Sequence, residues 1–267
     1  MTDEPSKPSA LRLSVSKTKT FFDCKKKYEF AYVLKLPRKD FEHFTFGKFC
    51  HAVLENFHNT YLEGSAAPSH LVMSDAYKKA VLEYGPKLTP EMKVECKEIA
   101  TTYLKKLASD KQQGIAPQVI GVEKNFATPI GDKVLLNGMI DKIQIDADNV
   151  LHVADYKTTK DKKYLKNDWM QLLTYAWVLF QEDPSIDKIR GSYILLRHNL
   201  EPITKEFSRE EILAVGKQYE KYAEDIMSET EFPANPSFLC KWCDFLDNCE
   251  EGKQKVFPKQ TSGEIKW

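Results

Sequence analysis

The sequence predicts an α/β fold in which helices come first, three consecutive strands follow, and a helix and further strand complete the core. Three observations carry that expectation. Apolar residues recur at helical spacing early in the chain, so that Phe46, Phe49, Cys50, Val53, Leu54, Phe57 and Tyr61 form one stripe. From Gln118 onward the texture changes to β-branched and apolar runs separated by turn-like sequences. Helical periodicity then returns between residues 168 and 181, ahead of two more short apolar runs, and helices layered on a sheet are the stable packing for such an order.

Taken in order, residues 1–10 are polar and proline-containing and read as a tail. Residues 15–34 read as a short basic and aromatic helix, and Thr45 to Tyr61 as the helix that carries the stripe. A small-residue loop, Gly64 to Ser69, ends it. Helical period resumes from about Ser74 to Gln113, broken near Gly85, Pro86 and Pro90, the last being a fit residue for a helix start. Gln118 to Thr128, Lys133 to Asp146 and Val150 to Lys157 read as a three-strand meander with turns at residues 129–132 and 147–149. An apolar helix from Asp168 to Gln181, closed by Pro184, precedes strands at Arg190 to Arg197 and Ile203 to Phe207. An amphipathic helix from Arg209 to about Met227 and a cysteine-bearing segment follow. The organisation expected is one domain over 11–250, with a helical part at 41–113, a sheet core at 118–207 and a C-terminal part at 209–250, then a tail at 251–267.

Composition bounds the function only loosely. A chain of 267 residues, 42% hydrophobic, can bury a substantial core. Its formal net charge is zero, so no global field marks a nucleic-acid binder, and only local runs such as Lys25 to Lys27 and Lys160, Lys162, Lys163 and Lys166 supply basic patches. No stretch approaches the length of a membrane span and no leader-like apolar segment opens the chain, so a cytoplasmic protein, or one of host cytoplasm if viral, is expected. In that compartment six cysteines read as thiols or metal ligands rather than disulfides.

The chemistry gathers at the ends of the meander. Asp141 follows Gly138-Met139-Ile140, and Asp155 stands two residues before Lys157, so the latter pair faces one side of a strand. If the second and third strands pair around Asp148-Asn149, Asp141 falls opposite the Asp155 region. Two converging carboxylates suit a hard divalent cation, and a lysine beside them can orient or activate water, which is what phosphodiester hydrolysis requires. The same residues could instead be an ordinary ion pair and a strand-ending turn residue. Gln171 and Tyr175, four apart on the next helix, put a polar pair on one face of an otherwise apolar element and imply a polar neighbour. His51 projects roughly 110° from the centre of the stripe on its helix, and His58 on the same face competes for its role.

Together, Gly47-x3-His51, Gly138-Met-Ile-Asp141, Asp155-Tyr-Lys157-Thr-Thr and Gln171-x3-Tyr175 resemble the PD-(D/E)XK nuclease superfamily, in particular its RecB-like branch with the CRISPR-associated exonucleases. The resemblance implies a restriction-endonuclease-like core, a mixed central sheet flanked by helices in α-βββ-α-β order, with a helical insertion. It implies that His51, Asp141, Asp155 and the Tyr156 carbonyl ligate magnesium or manganese, that Lys157 positions or polarises the water, and that Gln171 and Tyr175 hold the DNA backbone or support the lysine and carboxylate. Glu123 is a further acidic candidate. Two departures stand out: Asp155 occupies a position where the family often has Glu, and Ile140 stands where the name-giving proline would be.

Cys24 and the Cys240-x2-Cys243-x5-Cys249 run supply four thiolates, which satisfy either zinc or an iron-sulfur cluster. In relatives one upstream cysteine in an aromatic context, matched here by Phe21 to Tyr28, joins three near the C-terminus around a 4Fe-4S cluster that staples the termini, and the resemblance favours that occupant over zinc. Cys50 and Cys96 read as core residues. The implied activity is a deoxyribonuclease acting as an exonuclease on single-stranded DNA with a free end, 5′ to 3′, with Phe21, Phe22 and Tyr28 as stacking candidates, core packing being the commoner role for most of them. Its settings would be recombination, repair, replication or phage DNA metabolism, or CRISPR adaptation, with partner proteins of those pathways and homo-oligomers among the expectations. A nuclease-inactive DNA-binding accessory and a zinc-stapled interaction protein are the alternatives.

Overall fold

The computed structural model describes residues 10–39, 42–62, 69–162 and 168–258. Lys163 and Lys166 of the second basic run, residues 64–68 of the small-residue loop, and the outer parts of both expected tails lie outside them. The chain forms two compact units, one made of residues up to Arg12 with Phe41–Glu220 and the other of Leu13–Asp40 with Lys221–Trp267.

The first unit is built on a mixed sheet. Its strands are β1 (Leu11–Leu13, which runs to the unit's limit), β2 (Gln118–Ile130), β3 (Val134–Ile145), β4 (Leu151–Lys157), β5 (Lys188–Leu195) and β6 (Glu201–Ser208). β2 lies antiparallel to β3 over its whole length, from Gln118 opposite Ile145 to Ile130 opposite Val134. The other edge of β3 is shared by β1 and β4, and the order continues to β5 and β6. β4 and β5 are parallel, while β2 with β3, β3 with β4 and β5 with β6 are antiparallel. A parallel step needs a crossover, and α6 (Met170–Glu182) supplies it.

Helices cover both faces. On the back of the sheet, α3 (Glu42–Leu62), α4 (His70–Tyr84) and α5 (Pro90–Gln112) share one apolar cluster with Tyr156, Leu196 and Leu200. The α3 stripe expected from the sequence is its centre: Phe46, Phe49 and Phe57 are fully buried, each such side chain contributing about 1.5–3 kcal/mol. Cys50 and Cys96 are buried there too. Ser69 and Thr89 cap α4 and α5, each accepting from a backbone N–H three residues on, and Pro90 stands in the first turn of α5. On the front, α6 approaches so closely that a Cβ at Gly191 would lie 3.1 Å from Leu172 Cβ and 2.5 Å from the Phe207 ring. The following helix, α7 (Arg209–Ser228), sets Tyr219 against Thr174 at 3.0 Å between hydroxyls.

The second unit holds α1 (Val15–Asp23), α2 (Lys25–Tyr28), one π-helical turn at Glu29–Val33, and α8 (Glu250–Val256). A single helix over 15–34 was expected. Its interruption at Cys24, which has extended backbone between α1 and α2, corrects that reading. Phe21 and Tyr28 are 1% and 4% exposed and pack edge to face, so they are core side chains and not stacking platforms. Phe22 is half exposed but leans on Tyr222. No helix among the described residues is long and apolar enough to cross a membrane.

Candidate active site

The register of the meander brings the acidic residues together. Lys142 pairs with Ala154, so the next step toward the open end of the hairpin places Asp141 beside Asp155 on the front face. Asp141 is buried, and one of its oxygens accepts from the Tyr156 backbone N–H at 2.8 Å. Asp155 is 3% exposed; its Oδ1 accepts from Gln171 Nε2 at 2.5 Å. Its Oδ2 stands 2.7 Å from Lys157 Nζ, at an angle that makes an ion pair but no hydrogen bond, and it is otherwise without a partner.

α6 completes this arrangement from above. Lys157 Nζ donates to Gln171 Oε1 at 2.9 Å, and the Gln171 amide also reaches the Tyr175 hydroxyl at 2.8 Å. Gln171 and Tyr175 therefore face the polar neighbour that their spacing implied. The contacts are of the supporting kind, since Tyr175 is buried against Phe126 and holds the glutamine that holds the lysine. Burial, then the Asp155 charge, drives the Tyr175 phenol well above its usual pKa, so it acts as a neutral hydrogen-bonding group.

His51 arrives from α3. Its Nε2 lies 3.0 Å from the Tyr156 carbonyl oxygen, and its Nδ1 lies 3.4 Å from Asp141 and 3.9 Å from Glu123. Burial lowers its pKa, which keeps the imidazole neutral, the form that coordinates metals. Gly47, one turn earlier, lets α3 approach the strand end: a Cβ there would meet Thr158 Oγ1 at 3.3 Å. His58 does not compete. It is 1% exposed, bonded to the Tyr103 hydroxyl at 2.7 Å, and burial pushes its pKa down to about 3.

Glu123 proves a closer member of the group than the sequence indicates. His51, Glu123 and Asp141 each offer a ligand atom, and these atoms lie within 4.8 Å of one another. Glu123 takes φ +45°, in the left-handed region, close to a register shift at Val119–Gly121 of β2. Strained backbone at a non-glycine residue in a strand is an indicator of function, and a bulge re-aims a side chain. That signal is conformational, so residue spacing does not carry it. Burial and the nearby Glu55 and Asp155 push the Glu123 pKa up to about 7. Burial and Asp155 likewise raise Asp141 well above the carboxylate range.

These observations test whether the residues suit a divalent cation. One ammonium faces three carboxylates, two of them hold protons abnormally tightly, and a buried Asp155 oxygen lacks a hydrogen bond. A group of oxygen ligands with excess negative charge fits magnesium or manganese, and one imidazole is compatible with either.

Three described lysines of the basic runs, which could be phosphate contacts or simply solvated faces, are engaged within the protein. Lys25 pairs with Glu229, Lys26 with Glu29 at 2.7 Å, and Lys162 with Glu201.

In the second unit the four cysteines expected to act together do line one small cavity, with Lys26, Lys27 and Phe30 beside them. Backbone N–H groups of Asn235, Ser237 and Gly252 point at the sulfurs of Cys24, Cys240 and Cys249, at 3.5, 3.3 and 3.3 Å.

A mixed sheet with helices on both faces and a carboxylate-lysine group at the strand ends defines a restriction-endonuclease-like α/β protein. Residues 12–250 match the sequence profile of the PD-(D/E)XK nuclease superfamily, and the chain belongs to that superfamily. No curated protein matches it by sequence. Among solved structures, a protein of Eubacterium rectale described as a candidate exonuclease is 11% identical, covering 87% of this chain and 86% of its own, at TM-score 0.50. At that identity the likeness concerns the fold. The structure of SSO0001 is 18% identical over 78% of this chain and 95% of its own, at TM-score 0.36.

Proposed function

We propose that the chain is a deoxyribonuclease of the RecB-like branch that hydrolyses single-stranded DNA from a free end, 5′ to 3′, with magnesium or manganese. The observation that carries the metal-dependent part is the meeting of Asp141, Glu123 and His51, with Asp155 beside Asp141 on the next strand, around a site whose one ammonium, Lys157, cannot neutralise the carboxylates. Asp141, Asp155, His51 and the Tyr156 carbonyl would hold the cation, with Glu123 as a further ligand. When bound, the cation withdraws charge from the scissile phosphate and lowers the pKa of water.

Lys157 does the positioning. Held between Asp155 and Gln171, its ammonium orients the water that attacks phosphorus as the bond to the leaving oxygen breaks and that oxygen takes up a proton. Gln171 fixes the lysine, and Tyr175 fixes Gln171. The preference for single strands and the polarity rest on the resemblance to the RecB-like branch.

Cys24, Cys240, Cys243 and Cys249 hold a 4Fe-4S cluster in this reading. Three of the four sulfurs receive backbone N–H groups, an environment that favours thiolate ligands. Cleavage of single-stranded DNA labelled at either end gives a product ladder that fixes polarity, and a 5′-blocked substrate that is cut as fast as a free one would refute end-dependent 5′ to 3′ action. Iron and acid-labile sulfide in anaerobically purified protein test the cluster, and stoichiometric zinc without sulfide refutes it.

A further inference from the structure

Behind the catalytic strands lies a second cleft. Side chains alternate between sheet faces, so Lys142 and Gln144 on β3 and His152 on β4 point away from Asp141, Asp155 and Lys157. They line a cleft of about 330 Å³ that also includes Arg190, Ser192 and Thr204.

Two features set it apart from ordinary solvated surface. Lys142 is 7% exposed, its one hydrogen bond is a long one, 3.5 Å, to the Tyr103 hydroxyl, its ammonium lies 5.9 Å from the ring centres of Tyr103 and Tyr156, and no carboxylate among the described residues is paired with it. The nearby acids are already committed, Asp146 to His152 and Arg190, and Asp110 to Lys106. A buried ammonium without a counter-charge is strongly unfavourable unless something completes it. The second feature is Gln144 Oε1, buried and without a hydrogen-bond partner. Its amide nitrogen donates to Asp146 Oδ1 at 2.6 Å, and turning the amide over would set two oxygens face to face, so the unpaired acceptor is fixed as the oxygen of a residue that lines the cleft. Water could satisfy the amide oxygen, whereas an anion would supply the counter-charge that the Tyr103 hydroxyl and the two tyrosine rings do not give Lys142.

We propose that this cleft binds a small organic anion carrying a hydrogen-bond donor, its carboxylate or phosphate on Lys142, its donor on Gln144 Oε1, and its apolar flank along Leu107 and Ile115 at the wall. The site lies on the opposite face from the metal group and is independent of the nuclease reading.

Calorimetric titration of the full chain, without added divalent metal, tests it with three compounds: 2-hydroxybutyrate, butyrate, and 2′-deoxycytidine 5′-monophosphate. Saturable binding of the hydroxy acid or of the nucleotide is expected, the stronger of the two identifying the carboxylate or phosphate source. Butyrate, which lacks the donor, should bind about tenfold more weakly than the hydroxy acid. Lys142→Met should weaken binding at least about tenfold, since it removes the charge-assisted contact. Should that variant not fold, Thr204→Asp serves instead: the position is exposed on β6, and a carboxylate at the cleft should also weaken binding about tenfold. The proposal is overturned if no compound binds the wild type saturably, or if the substituted proteins bind as tightly as the wild type.

Discussion

Lys157 holds its ammonium between Asp155 Oδ2, an ion-pair partner at 2.7 Å, and Gln171 Oε1, which accepts a hydrogen bond at 2.9 Å, and that placement sets what substitutions should do. Lys157→Ala removes the group proposed to orient water and should lower the cleavage rate about 10²–10⁴-fold. Tyr175→Phe removes only the contact that steadies Gln171 and should cost about tenfold in rate, with no change in the metal concentration needed for half-maximal activity. A metal requirement that rises with the loss would place Tyr175 elsewhere in the site. Glu123 gives a pH prediction. Its pKa is raised from an ordinary 4.5 to about 7, so the folded metal-free protein binds the proton more tightly than the unfolded chain. By linkage this group's contribution falls as pH rises from about 4.5 to about 7 and stays low above it. Against Glu123→Gln, the metal-free wild type should therefore lose melting temperature between pH 5.5 and 8, and saturating manganese should restore most of the loss at pH 8. A wild type and Glu123→Gln with the same pH slope would show that the carboxylate is not strained in this way.

At the scale of elements, the Gly138-Met-Ile-Asp141 stretch has a packing cause apart from chemistry. Gly138 pairs with Phe126 across β2 and β3, and the ring lies over it: a Cβ at Gly138 would stand 2.6 Å from the ring. Gly138→Ala should thus destabilise by about 1–3 kcal/mol in denaturant unfolding, and Phe126→Leu in the same chain should relieve part of that. A fully tolerated alanine would mean the ring moves freely. The strands and α6 were legible because the periodicity changes sharply at Gln118 and again near Asp168, and a hairpin pairing sufficed to set Asp141 beside Asp155. β1 escaped notice because three residues, Leu-Arg-Leu, carry no period. The parallel pairing of β4 with β5 is a property of the crossover and leaves no mark in either strand. Glu123 could be named from its sequence but its position depends on a bulge and a left-handed backbone. Lys142, Gln144 and His152 alternate with apolar residues exactly as a solvent-facing edge would, so their burial under α5 was invisible to pattern.

For the molecule as a whole, the cysteines come from segments more than two hundred residues apart and meet in one unit. A group that ligates all four closes a very long loop, and its loss should be felt as stability lost by that unit. With the proposed cluster, Cys243→Ser should abolish the visible iron-sulfur absorbance and lower the melting temperature, whereas Cys96→Ser, buried among the back-face helices, should leave the absorbance intact. Equal loss from both would separate the colour from the four-cysteine cavity. Zero net charge means that attraction to DNA comes from local groups and the cation, so binding without divalent metal should be weak. The central claim, a divalent cation held by Asp141 and Asp155 and served by Lys157, is tested most directly by cleavage of end-labelled single-stranded DNA with manganese or magnesium, comparing the wild type with Asp141→Asn, Asp155→Asn and Lys157→Ala, each verified as folded. The expected result is cleavage by the wild type that chelation stops and that each substitution lowers at least about 100-fold. Cleavage that survives chelation, or that any of the folded variants retains in full, would contradict it.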